Sequence, residues 1–351
     1  MPKLSCIMSN YNTDPAYLQK AIESVLNQTF RDFELIIVDD CSTDMRSKKL
    51  IETLSVKDSR IKPVYNNVNM GLAASLNRAI AFSSGEYVIR FDTDDICFRN
   101  RFEQQYKYIE KTATDVVGSF VQLFGNEYKL VSTMFYEEEY IDAQLLFSCY
   151  LYHPSTIIRK EFLISSGAEY DSDFEKAEDF DFWVRCKEAG AKICMMPEVL
   201  LGYRMHAKSV CHVSKDKQTE LTEQICKRQL DEKGLCYTDD ELELHYILCG
   251  LRKFNPTIYH ELCQWCDKLI DENDERKAYN SKVFKKVVYN RLLTAIAKAD
   301  MPATKKIKLV ISDRRLCNTT NIYSVLYKKL YAFGYNLSGR EKEWMRIVSG
   351  E

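Results

Sequence analysis

No stretch of the 351 residues reaches the roughly 18 uninterrupted apolar positions that a membrane-spanning helix needs. The longest runs, such as Leu35 to Val38, are strand-sized, so an integral membrane fold is excluded. Residues 1–8 pass straight into a strand-like segment with neither a long apolar core nor a small-residue cleavage site, and export by a signal peptide is not expected. No GxGxxG follows the first strand and no GxxxxGK[ST] occurs anywhere, which disfavours a dinucleotide oxidoreductase and a P-loop NTPase. Zinc-finger spacing is missing too: Cys263 and Cys266 form the only CxxC, without a second pair or paired His, and neighbours on a helix face explain them. The thirteen cysteines are odd in number and scattered through apolar patterns, as reduced core residues of a cytosolic protein would be. Charge of one sign is absent overall, with 49 basic against 51 acidic residues and a net −2. There is no internal repeat, low-complexity segment or nucleic-acid-reading motif, and nucleic acid is not an expected partner.

What is present is a globular composition, 46% hydrophobic and 28% charged, long enough for one large domain plus an appendage. Residues 4–8 form a strand candidate that ends in Ser9, Asn10, Tyr11 and Asn12. Asp14 then offers a helix cap and Pro15 suits the first helical position, before Leu18, Ala21, Ile22, Val25 and Leu26 recur at helical spacing. Within residues 34–38 the run Leu35 to Val38 is continuously apolar, as a strand buried on both faces of a parallel sheet would be. That strand stops at Asp39 and Asp40, and residues 42–44 offer the next cap. A strand near Ile61–Tyr65, a helix over Leu72–Phe82 and a strand over Tyr87–Phe91 continue the rhythm. Alternation of this kind predicts βαβ units with right-handed crossovers in an α/β, Rossmann-like, mostly parallel sheet flanked by helices. After about residue 214 the rhythm gives way to helical patterns at 216–233, 239–252, 257–272, 279–299 and 320–333. The expected division is therefore an α/β domain over 1–214 and a helical region over 215–351.

Ligands of such sheets bind beyond the carboxyl ends of the strands. The polar clusters fall there: Asn10–Asn12, Asp39–Asp40 and Asp92–Asp95. The last closes a hydrophobic strand with carboxylates that repel one another, for which a divalent cation is the natural compensation, and an all-oxygen ligand set suits Mg2+ or Mn2+. A solvated acidic helix cap is the alternative for the same residues.

Seven segments in order, SNYN at 9–12, QTFRDFELIIVDDCSTD at 28–44, NMGLAASLNRAI at 69–80, GEYVIRFDTDDI at 85–96, HPSTIIRK at 153–160, AEDFDFW at 177–183 and YRMHAKSV at 203–210, resemble the inverting GT-A glycosyltransferases of family 2, especially bacterial enzymes of capsule, O-antigen and other surface polysaccharides. The resemblance covers about residues 3–213 and implies a GT-A fold with a UDP-sugar donor. It implies that Tyr11 flanks the uracil and that Asp39 or Asp40 accepts its N3 proton. Asp92 takes the place of the ribose-contacting and Asp94 of the metal-contacting carboxylate of a DxD motif, with Mn2+ or Mg2+ bridging the diphosphate. Gly71 and Asn77 match a GLxxxLN segment, where the glycine permits a turn into a helix whose N-terminus could face the diphosphate; helix entry and packing explain both equally well. Asp95 reads as the cap of the following helix, and Arg90 either pairs with the acidic cluster or serves structure alone.

Asp179 matches the family's catalytic base, which takes the acceptor proton as the hydroxyl attacks from the face opposite UDP. It precedes Phe180, Trp183 and Val184 at helical spacing, so it belongs on a first helical turn, where the dipole favours the ionised form. An ordinary helix cap would look the same, and Trp183 reads as packing. His206 could complete the metal shell and Arg204 could meet phosphate, while His153 lines the acceptor side. Cys211 departs from the family's SxS and is in doubt as a site residue.

The charge is unevenly laid out. Residues 1–214 hold 24 basic and 31 acidic residues, residues 215–351 hold 25 and 20, and residues 276–351 hold 17 and only 5. Three readings of the basic end are open: contact with an anionic membrane beside a lipid-linked acceptor, a cradle for an anionic glycan or partner enzyme, or a solvated face. The expectation is thus a cytoplasmic enzyme, peripheral at the inner face of the cytoplasmic membrane, transferring a sugar to a glycan or lipid-linked hydroxyl. An inactive sugar-nucleotide-binding scaffold and a nucleotidyltransferase are the alternatives; the three carboxylates argue against the first, and the lack of a Gly-rich basic first loop argues against the second.

Overall fold

A computed structural model describes residues 1–126, 128–131, 136–205 and 215–316. The apolar segments become strands and the amphipathic ones helices, in the order β1 (Leu4–Asn10), α1 (Pro15–Leu26), β2 (Phe33–Asp39), α2 (Met45–Lys57), β3 (Ile61–Tyr65), α3 (Gly71–Phe82) and β4 (Tyr87–Arg90). Asp14 caps α1 by accepting from the amide of Ala16 at 2.8 Å, Pro15 takes the first position, and Leu18, Ala21, Ile22 and Val25 are buried against the sheet. Asp44 caps α2 in the same way.

The chain continues through β5 (Ile96–Cys97), α4 (Arg101–Thr112), β6 (Val116–Gly125), β7 (Lys129–Val131), α5 (Glu138–Leu145), β8 (Ile157–Arg159), α6 (Lys160–Ser166), α7 (Glu178–Glu188) and β9 (Ile193–Met205). One sheet runs in the order β3-β2-β1-β4-β8-β6-β9-β5, with β7 beside β6. β1, β2, β3, β4, β6 and β9 point one way, while β5, β7 and β8 oppose them. The sheet is therefore mostly parallel. At its centre Arg101 is fully buried and donates to the carbonyls of Arg90 and Thr156, tying α4 to the end of β4. Gly85, at the entry to β4, lies so close to β1 that a Cβ there would sit 2.7 Å from the backbone of Leu4 and Ser5.

Two compact units result. The second holds α8 (Lys215–Glu232), α9 (Asp239–Cys249), α10 (Tyr259–Arg276), α11 (Ser281–Lys298) and α12 (Ala303–Ser312). It has its own core around Trp265, Leu262, Phe284 and Leu292. Thr238 and Glu241 form a capping box at the start of α9. Cys263 and Cys266 are free thiols on the buried face of α10.

The single division after residue 214 needs correction. α5 and the residues after it, to Tyr150, belong with the helices: Gln229 donates to the carbonyl of Leu145 at 2.9 Å, Arg291 reaches Ser148 and Tyr150, and Phe147 stacks on Phe284. Their apolar side chains, Ile141, Leu145 and Phe147, bury against helices rather than the sheet. The helical pattern at 320–333 lies outside the described residues. No helix among the described residues is long and apolar enough to cross a membrane.

Candidate functional site

β1, β2 and β4 end side by side, with Asn10 opposite Asp39 and Ile7 opposite Arg90. At the first junction the Asn10 side-chain amide donates to Asp39 at 2.7 Å, and Ser42 donates to the same carboxylate from both its amide (3.1 Å) and its hydroxyl (2.7 Å). Asp40 turns the other way. It accepts from the Asn66 side chain at 2.6 Å and from the amides of Met70 and Gly71 at 2.8 Å each. Both carboxylates are buried and each already holds three donors, out of about four lone-pair positions. Either can accept one further N–H.

The Asp40 contacts also fix the start of α3. Gly71 has φ +83°, which a glycine adopts without strain, and it opens α3 as expected. The amides of Met70 and Gly71 at this helix end are taken by an internal carboxylate, as its entry into the fold requires. Asn77 is also committed: its amide donates to the carbonyl of Tyr170 at 2.8 Å and its oxygen accepts the Tyr170 amide at 2.9 Å. It clamps the segment leading to α7, and these two bonds use one of its two N–H donors and one of its two oxygen lone pairs. Tyr11 stands half-exposed at the crevice mouth, beside Asn12, which accepts from Thr43 and from the amide of Asp44. Thr13 and Thr93, 2.7 Å apart, join the first and third strand ends.

Beyond β4, Arg90 is buried and pairs with Asp92 at 2.6 Å, which settles the two readings of Arg90 in favour of the acidic cluster. Asp92 and Asp94 are partly exposed. Asp95 is not a helix cap: it is buried, 109 residues away in sequence it accepts the Arg204 amide of β9 at 2.8 Å, and the residue preceding α4 is Asn100. The strand β9 passes so close that its backbone claims this carboxylate before any helix can. Burial, then the charges of Asp94 and Asp92, push the Asp95 carboxyl well above its ordinary range, and its Oδ2 is buried without a hydrogen-bond partner. Arg204 donates its Nε to the Asp94 carbonyl at 2.7 Å, with its guanidinium between the rings of Tyr17 and Phe124 at 4.0 and 4.4 Å. It braces the acidic loop.

Asp179 lies on the first turn of α7, as its spacing predicts, and accepts the amide of Phe180 at 2.8 Å. Burial raises its carboxyl above the ordinary value, more than the Phe180 amide and Arg90 can offset, while Asp92 adds to the rise. Its neighbour Glu178 is raised in turn by burial and by Asp179. Trp183 is buried packing. His153 does not line an open surface: it is buried, 2.7 Å from the Tyr170 hydroxyl, and burial with the nearby Arg90 holds its imidazole neutral. A cavity of about 250 Å3 opens between residues 69–73 and Ser172, Glu175 and Glu178. The Tyr170–His153 pair and this cavity escaped the sequence reading, because they arise from residues far apart in the chain.

The donor set admits a hard cation. Among the described residues no three Asp, Glu, His or Cys side chains form a ready-made cage. Mg2+ or Mn2+ held chiefly by diphosphate oxygens needs only one or two protein carboxylates, which the partly exposed Asp94 and Asp92 offer. His206 lies outside the described residues.

A mostly parallel sheet with polar strand ends, a carboxylate loop after β4 and a carboxylate on the first turn of α7 define a GT-A transferase. The glycosyl transferase family 2 model matches residues 5–166. An uncharacterized glycosyltransferase of Methanocaldococcus jannaschii is 33% identical over 208 residues, 58% of this chain and 71% of that protein. The UDP-Glc:alpha-D-GlcNAc-diphosphoundecaprenol beta-1,3-glucosyltransferase WfgD of Escherichia coli is 27% identical over 256 residues, 71% of this chain and 94% of its own length. Among solved structures, S. aureus TarS 1–349 in complex with UDP-GlcNAc matches the fold with a TM-score of 0.58 and 21% identity, over 84% of this chain and 88% of that one. The chain belongs to glycosyltransferase family 2.

Proposed function

We propose that this glycosyltransferase moves a sugar from a UDP-sugar to a hydroxyl of a lipid-linked or surface-glycan acceptor, with inversion and with the help of Mg2+ or Mn2+. The single observation that carries the mechanism is Asp179, a partly buried carboxylate on a first helical turn, close enough to Asp92 and Arg90 for their charges to act on it. Support for the donor and acceptor comes from the glucosyltransferase activity of WfgD and from the UDP-GlcNAc bound to TarS.

In this reading Tyr11 flanks the uracil, Asp39 or Asp40 accepts its N3–H, and Asp92 contacts the ribose. Asp94 holds the cation, joined by His206, and Arg204 meets phosphate. The bound cation supplies Lewis-acid stabilisation of the charge gathering on the departing diphosphate. As the acceptor oxygen approaches the anomeric carbon from the face opposite UDP, Asp179 takes its proton. The new C–O bond forms while the bond to UDP breaks and its electron pair leaves with UDP, so an α-linked donor gives a β-linked product. A raised carboxyl suits Asp179, since a stronger base accepts the proton more readily. The enzyme works in the cytoplasm, and the basic residues of 276–351 face the anionic membrane that carries the acceptor. The test is UDP release from a panel of UDP-sugars with Mn2+, Mg2+ or EDTA, with the product's anomeric configuration read by NMR. A retained α-configuration contradicts single displacement, and full activity in EDTA contradicts the cation's role.

A further inference from the structure

The helix α12 carries its apolar side chains on one arc: Ala303, Ile307, Val310 and Ile311 recur at helical spacing, with Lys306 and Lys308 on either flank. Ten residues of ordinary packing would bury that arc. Here no residue of α12 is buried, and Ile307 and Ile311 are 57% and 67% exposed. The arc forms one wall of an apolar groove of about 340 Å3, whose other wall is Leu293, Ile296 and Ala297 of α11. Lys306 lies at the rim, donating to the carbonyl of Ala297 at 2.7 Å. Residues 298–316 hold six basic and two acidic residues. Of these, Arg315 is paired with Asp313 and Asp267, whereas Lys305, Lys308 and Arg314 stand exposed with no described carboxylate beside them.

We propose that α12 is an interfacial helix, docking on an anionic lipid bilayer with Ile307 and Ile311 entering the acyl region and Lys305, Lys306 and Lys308 among the headgroups. An exposed apolar arc with cations along both edges complements the boundary of such a bilayer, apolar beneath and negative above. A protein partner would need the groove filled by shape and its rim charges paired; a bilayer needs only the arc and the lysines. This refines the membrane reading above, narrowing residues 276–351 to one helix and giving it an apolar component.

The test is co-sedimentation of the full chain with vesicles of phosphatidylcholine containing phosphatidylglycerol, alongside vesicles of phosphatidylcholine alone. Wild type binds the anionic vesicles and is released by high salt. The pair I307S and I311S, on surface positions that leave folding intact by circular dichroism, lowers the partition coefficient at least about tenfold. K305Q with K308Q lowers it similarly and removes much of the salt dependence. I164S, at an equally exposed isoleucine of the other unit, leaves it unchanged, and UDP release from UDP-sugars is unaltered in all of them. Wild type that ignores anionic vesicles overturns the membrane reading and the helix with it. Wild-type binding that survives I307S and I311S overturns only the assignment to α12, as does a change of oligomeric state, seen by light scattering, in place of lost vesicle binding.

Discussion

Replacing Asn77 by Ala separates a clamp from a ligand contact. The side chain makes two hydrogen bonds to one peptide segment, 2.8 Å to the Tyr170 carbonyl and 2.9 Å from the Tyr170 amide. Each contributes about 1 kcal/mol net, and the half-buried backbone groups left behind regain only part of their hydration, so the loss is about 2 kcal/mol. For a domain of about 150–250 residues that lowers the melting temperature by roughly 4–8 °C. The same segment packs on the helix that carries Asp179: the Tyr170 ring stacks on Phe182, one turn along α7, with centroids 4.0 Å apart. A loosened Tyr170 therefore misplaces the carboxylate, and kcat falls about ten- to a hundredfold while the donor KM stays within about twofold. Thermal unfolding and steady-state UDP release measure both effects on one preparation. An Asn77→Ala protein with the wild-type melting temperature and a raised donor KM refutes the clamp and restores a nucleotide contact.

Other perturbations give equally direct outcomes. The proton acceptor must be ionised, and burial raises the Asp179 carboxyl; activity is present above its titration and is lost as pH falls through a value above the ordinary carboxylate range, which the acid limb of kcat/KM against pH measures. EDTA abolishes UDP release, Mn2+ or Mg2+ restores it, and Asp94→Ala responds to neither, as titration of each ion into stripped enzyme shows; restoration in Asp94→Ala would remove that residue from the cation site. Gly85→Ala places a methyl 2.7 Å from the β1 backbone, which cannot swing aside, and costs about 2–3 kcal/mol in urea unfolding.

The fold was legible where local pattern and burial agree. The apolar run of β2, the Asp14 and Asp44 caps and the spacing of α3 each carry their structure in a few neighbouring residues. The carboxylates at the strand ends were legible too, because a parallel sheet dictates where strand ends gather. What stayed hidden depended on partners distant in the chain. Asp95 looks like a cap until β9 arrives with the Arg204 amide, and nothing near Asn77 in the chain announces its two bonds to Tyr170. α5 reads as part of the sheet domain because nothing local reveals that Phe147 stacks on Phe284. α12 was missed for the opposite reason: with three lysines in ten residues and no buried face, its pattern is faint.

The central claim is that Asp179 is the proton acceptor and not a binding residue or a helix cap. Asp179→Asn keeps the side-chain oxygen that accepts the Phe180 amide and removes the basicity. UDP release from the UDP-sugar that the wild type turns over should fall at least about a hundredfold, with UDP affinity by calorimetry and the melting temperature close to wild type. Turnover equal to wild type would contradict the assignment.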